Sequence, residues 1–479
     1  MVDTGITAYS VYTPRYRLDR KTISAAMGWL SPASLPGEKA VANYDEDSIT
    51  MAVAAGRACL DGNGASIEGV YLASTTTSYR EGEGAAIIST ALALPPSIRT
   101  ADFANSLKCG TSALLGACES VKAGGPRVVL VCAADSRMGR PGTANELMFG
   151  DAAGAVTIGS DGIIGIFKGY YSVSYDFPDY RRLASDTFVH SVEDRFIREE
   201  GYAKFIQEAI SGLFTKYGVT AQTFAKVAFP CLNAGQYAGI GKKLGFQPEQ
   251  IEAPLLATLG EMGAASPLVL LAGMFDNAKS GDNLLITSYG NGAEALWFAV
   301  TDKIREVKNR GQLARSIARK KELTSYEKYL CFRGILPINK GDIGINPPTQ
   351  VPLLWRERKS MLALIGTKCK KCGTPQYPPQ NVCVNPDCGA VNETEDYAFS
   401  DKKGRLFSYT ADNIAFALNP PFLYGIVDFE GGGRFVFQLT DCDAEEVRIG
   451  MPLTMSFRKQ FEDNLRGIEG YFWKAVPAE

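Results

Sequence analysis

The sequence predicts an α/β protein with a main sheet covered by helices on both faces, followed by two small C-terminal modules. Residues 1 to about 300 alternate apolar, β-branched runs with helical stretches of small residues, which is typical of such a sheet. Near the C-terminus, four cysteines have the spacing C-x2-C-x10-C-x4-C, and short segments of alternating hydrophobicity follow them. A chain of 479 residues exceeds what one core usually organises, so two or three domains are expected.

Four apolar runs in the first part of the chain are predicted to be buried strands, each near a helical segment. They are residues 69–74, 127–133, 225–230 and 283–288. Residues 302–330 are highly charged at helical spacing, which predicts a surface helix. Between residues 337 and 352 the composition shifts to Pro, Gly, Asn and Asp, which predicts a linker.

The first C-terminal module is predicted from its cysteines to be a structural zinc ribbon. The ligands would be Cys369, Cys372, Cys383 and Cys388. Two short C-x-x-C-like turns can bring four thiolates to the corners of a tetrahedron, and four protein ligands leave no position open for a substrate. The second module is predicted to be a small β-barrel. Its strands would include residues 404–409, 424–429, 434–439 and 452–457.

Composition excludes several classes of function. Hydrophobic residues make up 46% of the chain and charged residues 21%, which describes an ordinary globular protein. A formal net charge of -2 gives no general attraction to nucleic acid or anionic membranes, so neither is an expected partner. The N-terminus lacks the basic and apolar run of a signal peptide, and no stretch approaches about 18 apolar residues, so a cytoplasmic protein with reduced thiols is expected.

Several motifs resemble those of one family. They are residues 5–18 (GITAYSVYTPRYRL), 37–52, 149–159 (FGDAAGAVTIG), 242–246, 288–292 (SYGNG) and 326–334. Together they resemble bacterial and archaeal 3-hydroxy-3-methylglutaryl-CoA synthases, in the thiolase superfamily. The resemblance implies a five-layer α-β-α-β-α sandwich of two similar βαβαβαββ halves. It also implies a homodimer that acts on acyl-CoA thioesters.

The C-terminal segment of about 120 residues resembles the zinc-ribbon and OB-fold module that accompanies thiolases as a separate subunit. In those assemblies the module is thought to help shape the CoA channel, and fusion implies the same role in cis. The predicted domains are residues 1–336 (thiolase-like), 337–357 (linker), 358–394 (zinc ribbon) and 395–479 (OB-fold). An OB-fold alone would suggest oligonucleotide binding, which the slightly acidic chain and its CoA-type neighbour disfavour.

The catalytic positions of the family are not matched here. The position of the nucleophilic cysteine holds Leu107, and Cys109 lies two residues later. The general acid histidine aligns with Pro230, and the glutamate base aligns with Thr75. A related asparagine position holds Glu261.

Other groups are therefore candidates for the chemistry. His190 is the sole histidine in the chain, and it is either an acid or base or a surface residue. Glu261 is either a general base in a dry pocket or a structural group. The remaining polar residues that the alignment directs to the pocket are Thr75, Tyr79, Glu83, Asn233, Tyr289 and Asn291.

Three functional hypotheses stay open at this point. The first is an aldol or retro-aldol enzyme on a 3-hydroxyacyl-CoA without a covalent acyl-cysteine, as in steroid side-chain aldolases that pair with a zinc-ribbon and OB-fold partner. The second is a Claisen-type condensing enzyme of the HMG-CoA synthase kind that uses Cys109. The third is a non-catalytic CoA-binding scaffold for a thiolase-type partner subunit.

Overall fold

The computed structural model describes residues 3–31, 34–61, 64–339 and 349–478. Packing divides the chain into two units. The first comprises Met1–Asn43, Asp47–Ile88 and Ser97–Tyr329. The second comprises Tyr44–Glu46, Ser89–Pro96 and Leu330–Glu479. The domain boundaries drawn from the sequence stay predictions.

The strands that begin in the first unit belong to one large sheet and two small ones. They are β1 Gly5–Tyr12, β2 Tyr16–Asp19, β3 Glu38–Val41, β4 Gly69–Ala73, β5 Arg99–Phe103, β6 Val129–Asp135, β7 Ala152–Gly159, β8 Gly165–Ser174, β9 Tyr180–Arg181, β10 His190–Ser191, β11 Lys226–Ala228, β12 Asn283–Tyr289, β13 Gly292–Val300 and β14 Lys321–Glu322.

The helices that begin in the first unit are mostly short. They are α1 Arg20–Met27, α2 Ser48–Leu60, α3 Gly84–Ala91, α4 Cys109–Lys122, α5 Ala144–Met148, α6 Asp194–Phe196, α7 Ala203–Tyr217, α8 Ala234–Lys243, α9 Ser266–Asn277, α10 Gln312–Ala318 and α11 Tyr326–Phe332. A π-helical segment, Ile197–Tyr202, joins α6 to α7.

The large sheet consists of two halves with the same strand order. Its nine strands run β11-β12-β13-β8-β1-β7-β6-β4-β5. In each half, parallel strands are followed along the sheet by antiparallel ones. In the first half β4 is parallel to β5 and β6, and β7 is antiparallel to β6. In the second half β11 is parallel to β12, and β13 is antiparallel to β12. A parallel bridge between Val227 and Ile251 occupies the place of the missing third parallel strand of the second half. This repetition matches the two predicted βαβαβαββ halves.

Helices cover both faces of each half. Helix α2 packs against β1, β6 and β7, and α7 packs against β8, β12 and β13. Helices α4 and α9 contact each other and lie between the two halves. Ten of the twelve residues of α9 are buried, as expected for a central layer of small and apolar side chains. The predicted five-layer α-β-α-β-α class is confirmed.

The predicted strands are present, but the single surface helix predicted for residues 302–330 is wrong. Gly311 has a positive φ of +79°, which ends any continuous helix before α10. Further on, Lys321–Glu322 pairs in parallel with Tyr16–Arg17 of β2 as β14. Charge at helical spacing did not reveal this pairing, because it depends on a strand about 300 residues away.

The second unit contains the zinc ribbon and the OB-fold. Its helices are α12 Val351–Arg356 and α13 Arg358–Ala363, and its strands are β15 Ile365–Cys369, β16 Pro375–Gln376, β17 Thr394–Ala398, β18 Gly404–Asp412, β19 Phe422–Phe429, β20 Arg434–Gln438, β21 Pro452–Asp463 and β22 Ile468–Pro477. The order β16-β15-β17 forms the ribbon sheet, and β20-β19-β18-β21-β22 forms the OB sheet. A bridge between Leu439 and Ala475 links the two edges of the OB sheet.

Only part of the predicted linker is described. Residues 340–348 of the predicted segment 337–357 lie outside the described residues. Val351–Arg356 forms α12, so the end of the predicted linker is helical. Among the described residues, no helix is long and apolar enough to cross a membrane.

Candidate active site

A cavity of about 270 Å³ lies in the first unit. Four parts of the chain meet there: the segment that follows β6, the loop that precedes α4, strand β9, and the turn between β12 and β13. The lining residues are Thr75, Asn105, Ser106, Leu107, Arg137, Asp179, Tyr180, Arg181, Arg182, Val189, Gly290 and Asn291. Most of these side chains are polar or charged, as a site for a polar ligand requires.

Leu107, which the sequence resemblance aligns with the nucleophile position, lines this cavity. The loop that carries it is held by Ser106, whose hydroxyl donates to the carbonyl of Gly290 at 3.0 Å. A Cβ on Gly290 would lie 2.8 Å from the backbone nitrogen of Leu107, so the close approach of the two loops requires glycine. At this point the cavity wall therefore presents an aliphatic side chain, that of Leu107.

Cys109 begins α4 and packs into the apolar core of the first unit. Its side chain is buried and does not line the cavity. Burial, reinforced by the negative charge of Asp135, raises the pKa of the thiol well above its ordinary value. A protonated thiol is a poor nucleophile, so this environment does not activate Cys109.

Asp135, at the end of β6, fixes one wall of the cavity. Its carboxylate accepts hydrogen bonds from the side chains of Ser74 and Thr76 and from the backbone and hydroxyl of Thr75. It also accepts one from the backbone of Ala264 at 2.8 Å. The Thr75 side chain is thereby fixed in the wall, although it offers no carboxylate.

Glu261 forms a buried ion pair behind the cavity. Its carboxylate lies 2.5 Å from the guanidinium of Arg137, and both side chains are 3% exposed. It also accepts from the backbone of Gly263 at 2.9 Å. The guanidinium of Arg137 lies over the Phe149 ring, 4.0 Å from its centroid. Glu261 is thus held by a cation, and only Arg137 of this pair reaches the cavity.

Asp179 is the buried carboxyl group that lines the cavity itself. Burial raises its pKa above the ordinary carboxyl value, and the neighbouring Tyr289 hydroxyl and Arg137 only partly oppose this. A carboxyl group with a raised pKa in a cavity is a stronger base than an ordinary carboxylate, and it can take up and return a proton.

Tyr289, at the end of β12, lies beside Asp179. Its ring packs edge-on against Tyr202 at 5.5 Å, and its buried hydroxyl is close enough to Asp179 to affect the pKa of that carboxyl group, although the two do not form a hydrogen bond of regular geometry. Burial and the charge of Asp179 raise the pKa of this phenol, so it stays protonated and can donate. Gly201, in the π-helical segment, makes room for the hydroxyl, since a Cβ there would lie 2.6 Å from it.

Other predicted residues are not brought to the cavity. Val189 lines it, but the next side chain, His190, is half exposed and lies 3.3 Å from Asp186. Asn233 is exposed and caps α8 through Gln236.

Further predicted positions also have other surroundings. The carbonyl of Pro230 accepts from the Tyr202 hydroxyl, and Glu83 is exposed and accepts from Thr100. Tyr79 is half-buried and is not among the residues that line the cavity. Of the predicted positions, Thr75, Leu107 and Asn291 line the cavity, and Tyr289 adjoins it.

Sequence reasoning missed Arg137, Asp179 and Arg182. All three lie outside the motifs that carry the resemblance. The run 178–182, with one acid and two arginines shortly after the end of β8, was the available signal. It was not distinctive, because charged residues after a strand usually face solvent.

The predicted zinc ligands come together in the second unit. The sulfur atoms of Cys369 and Cys388 are 3.9 Å apart, those of Cys372 and Cys383 are 3.5 Å apart, and all four lie within 4.8 Å of one another. A tetrahedral zinc with Zn–S bonds of about 2.3 Å separates its sulfurs by about 3.8 Å. The four side chains therefore fit a zinc ion and supply its complete coordination.

Comparison with known families identifies both C-terminal modules. Residues 362–392 match the family described as "ChsH2, rubredoxin-like zinc ribbon domain". Residues 397–458 match the family described as "ChsH2, C-terminal OB-fold domain".

Solved structures of similar fold define the class of the first unit. MvaS in complex with 3-hydroxy-3-methylglutaryl coenzyme A superposes with a TM-score of 0.62 at 20% identity, covering 72% of this chain and 95% of that one. An HMG-CoA synthase complexed with CoA gives 0.63 at 20% identity, with the same coverage. A 3-oxoacyl-(acyl carrier protein) synthase III from Pseudomonas aeruginosa gives 0.57 at 17% identity, covering 62% and 98%. The fold is that of the thiolase class.

Curated relatives narrow this class to one family. The hydroxymethylglutaryl-CoA synthase of Methanosphaera stadtmanae is 30% identical over 346 residues, which is 70% of this chain and 100% of that protein. The one from Methanocaldococcus jannaschii is 30% identical over 341 residues, covering 69% and 98%. The chain belongs to the hydroxymethylglutaryl-CoA synthase family, and it carries a ChsH2-type zinc ribbon and OB-fold in addition.

Proposed function

We propose that this protein makes or breaks the bond between C2 and C3 of a 3-hydroxyacyl-CoA by aldol chemistry, without a covalent acyl-cysteine. One observation carries the proposal: the cavity wall has Leu107 at the nucleophile position and, within the same cavity, the buried carboxyl group of Asp179. A base without a nucleophile suits proton transfer better than thioester exchange.

In the cleavage direction, the carboxylate of Asp179 takes the proton of the C3 hydroxyl. The O–H electron pair becomes the π bond of a new carbonyl group, and the C2–C3 bond breaks. Its electron pair moves to C2 and is delocalised onto the thioester oxygen as an enolate. Protonation of C2 by Asp179 then gives an acyl-CoA and an aldehyde or ketone, with no co-reactant needed.

Donors around the cavity would stabilise the charge that develops in this step. The amide groups of Asn105 and Asn291 line the cavity. The protonated Tyr289 hydroxyl lies beside Asp179 and would donate to its carboxylate. The environment of Asp179 supports it as the base in preference to Glu261, which is paired with Arg137, and to the half-exposed His190.

The size of the cavity favours a short acyl group. About 270 Å³ is near the lower end of ligand pockets, which run from about 300 to 1,000 Å³. The CoA part of the substrate is supported by the family, whose solved members include complexes with CoA and with an acyl-CoA.

The test is turnover of a panel of short 3-hydroxyacyl-CoA esters, followed by chromatography of the acyl-CoA and carbonyl products. Wild-type protein and the Cys109→Ser variant are expected to form products at similar rates, and the intact mass of the protein should stay unchanged during turnover. A stable acyl adduct on Cys109, with loss of activity in Cys109→Ser, would restore the condensing hypothesis. If the protein neither turns over any ester nor exchanges the C2 hydrogen of an acyl-CoA with solvent, the hypothesis of a non-catalytic CoA-binding scaffold would be favoured.

A further inference from the structure

Three arginines line the cavity, and Arg137 is the buried one. Its side chain is 3% exposed, whereas Arg181 and Arg182 are exposed to solvent. Water and salt screen an exposed charge, while a buried charge acts much more strongly on its neighbours. Arg137 is therefore the cation of this cavity whose charge acts most strongly on a bound ligand.

The guanidinium of Arg137 is held in place from several sides. Phe149 and Glu261 form a parallel bridge, so the ring of one and the carboxylate of the other are fixed relative to each other. The ring centroid lies 4.0 Å from the guanidinium, and the carboxylate lies 2.5 Å from it. The Tyr180 ring lies 5.2 Å away. A cation fixed in this way needs little reorganisation when charge develops beside it.

The counter-ion of Arg137 does not share the cavity with it. Glu261 is absent from the lining, and its two carboxylate oxygens accept from Gly263 and from Arg137. It lines a separate, very small cavity beside Pro254 and Leu270. The ion pair thus offsets the cost of burying the guanidinium and leaves its positive end toward the larger cavity.

The aldol step moves one negative charge across this cavity. In cleavage the proton of the C3 hydroxyl goes to the carboxylate of Asp179, the C2–C3 bond breaks, and the charge ends on the thioester oxygen. Arg137 acts on the groups around this path, since its charge opposes the rise in the pKa of both Asp179 and Tyr180. Among the described residues that line the cavity, Arg137 is the only buried cation.

We propose that Arg137 is a catalytic residue that holds the thioester oxygen and stabilises the enolate formed there. The proposal rests on the function proposed above, since it names the group that receives the charge in the same step. Removing one donor to such an oxyanion typically slows the chemical step by about 10²- to 10³-fold. Loss of Arg137 should lower kcat far more than it raises KM, because the full charge develops only during the reaction.

The test compares the double variant Arg137→Met/Glu261→Gln with Glu261→Gln alone, so that the two proteins differ only at Arg137. Arg137→Met by itself would leave the Glu261 carboxylate buried without a counter-ion, whereas the double variant leaves no unpaired charge. Arg127→Met/Glu68→Gln is the control, since it removes a surface pair of the same kind with its atoms 2.5 Å apart. Unfolding midpoints check that each variant is folded.

Two quantities are measured for each protein. The first is the single-turnover rate of C2–C3 cleavage. The second is the affinity for S-carboxymethyl-CoA relative to its neutral amide, S-carbamoylmethyl-CoA, measured by calorimetry. The carboxylate of the first ligand lies close to the position of the enolate oxygen, and its binding requires no turnover. All binding is measured with Asp179→Asn also present, which mimics the protonated base that accompanies the enolate.

We expect the double variant to cleave the ester roughly 10²- to 10³-fold more slowly than Glu261→Gln. Glu261→Gln and the surface control should prefer the carboxylate over the amide by roughly 10-fold or more, and the double variant should lose this preference. Arg137→Lys should retain part of both properties, because the positive charge remains.

Equal cleavage rates in the double variant and Glu261→Gln would overturn the inference and leave the aldol chemistry intact. Slower cleavage with an unchanged carboxylate preference would also overturn it, because the loss would then not come from the charge. A preference that depends on Arg137, in a protein that cleaves no 3-hydroxyacyl-CoA, would count against the proposed function and leave Arg137 as an anion-binding residue.

Discussion

At the scale of single residues, two buried carboxyl groups have opposite surroundings: Asp179 lines the cavity, and Glu261 lies behind it. Glu261 lies 2.5 Å from Arg137 and is compensated by it, whereas burial dominates at Asp179 and raises its pKa. The environments of the two groups therefore suit different roles, a structural counter-ion and a proton carrier. Arg137 connects them, because its positive charge acts on both.

Replacing Glu261 with Gln should destabilise the fold more than most single substitutions. The change leaves the buried guanidinium of Arg137 without its counter-charge, at a cost of about 3 to 5 kcal/mol in the free energy of unfolding. Glu252→Gln is the matched control, since its carboxylate lies 3.5 Å from Lys226 in a partly exposed pair that contributes about 1 kcal/mol or less. Denaturant unfolding measures both variants, and equal losses would contradict the structural role of Glu261.

At the scale of elements, the π-helical segment Ile197–Tyr202 positions the donor beside Asp179. A π-helical turn inserts one residue into a helix and is often found at functional sites. Here it places Gly201 against the Tyr289 hydroxyl and the Phe177 ring, where a Cβ would lie 2.6 Å and 2.5 Å away. The shape of the helix thus decides where the phenol lies.

Gly201→Ala should displace the Tyr289 hydroxyl and lower the turnover number by roughly 10- to 100-fold, because misplacing a catalytic group by about 1 Å has effects of this size. Gly239→Ala is the control. Gly239 lies in α8 with no heavy atom within 4 Å of an added Cβ, so alanine there should be neutral or stabilise by up to about 1 kcal/mol. Unchanged turnover in Gly201→Ala would show that the position of Tyr289 does not matter.

The zinc ribbon is the element whose stability depends on a metal. We expect about one zinc per chain by elemental analysis, and Cys372→Ser should lose the metal and unfold the C-terminal module, because zinc binding supplies much of the folding free energy of so small a core. Cys331→Ser is the control, since Cys331 lies outside the cluster of four cysteines. Loss of zinc from the control, or full zinc content in Cys372→Ser, would contradict the assignment of ligands.

The buried strands and the cysteine cluster could be predicted from the sequence because their signals are local. Strand β6 reads as a continuous apolar run, and the ribbon reads as a spacing of cysteines. The cavity could be predicted only in part. Leu107 was found because its motif is local, but Asp179 reaches the same cavity through the tertiary position of the segment that leads into β9, which no local pattern encodes.

At the scale of the whole molecule, the exposed edge of the large sheet favours a dimer. Strand β5 is the last strand of the sheet, and its residues are largely half-buried or exposed. The backbone nitrogen of Arg99 donates toward β4, so by strand alternation the N–H groups of Thr100 and Asp102 point away from the sheet. Unpaired edge groups of this kind are templates for pairing with a second copy about a two-fold axis.

Light scattering at micromolar concentration is expected to give the mass of a dimer. Thr100→Pro should shift the protein toward monomer, because proline removes an outward N–H without breaking the bonds to β4. Thr100→Val keeps the N–H and should remain dimeric. A wild-type monomer, or a Thr100→Pro variant as dimeric as the wild type, would exclude pairing through this edge.

The central claim is proton transfer by Asp179 without a nucleophilic cysteine, and single-turnover rates of C2–C3 cleavage test it most directly. We expect Asp179→Asn to lower the rate by about 2 to 4 powers of ten and Cys109→Ser to leave it nearly unchanged. The wild-type rate should fall as pH drops through the raised pKa of Asp179, because the base must be deprotonated, and this fall should be absent in Asp179→Asn. The reverse ranking, with Cys109→Ser inactive and Asp179→Asn active, would contradict the claim.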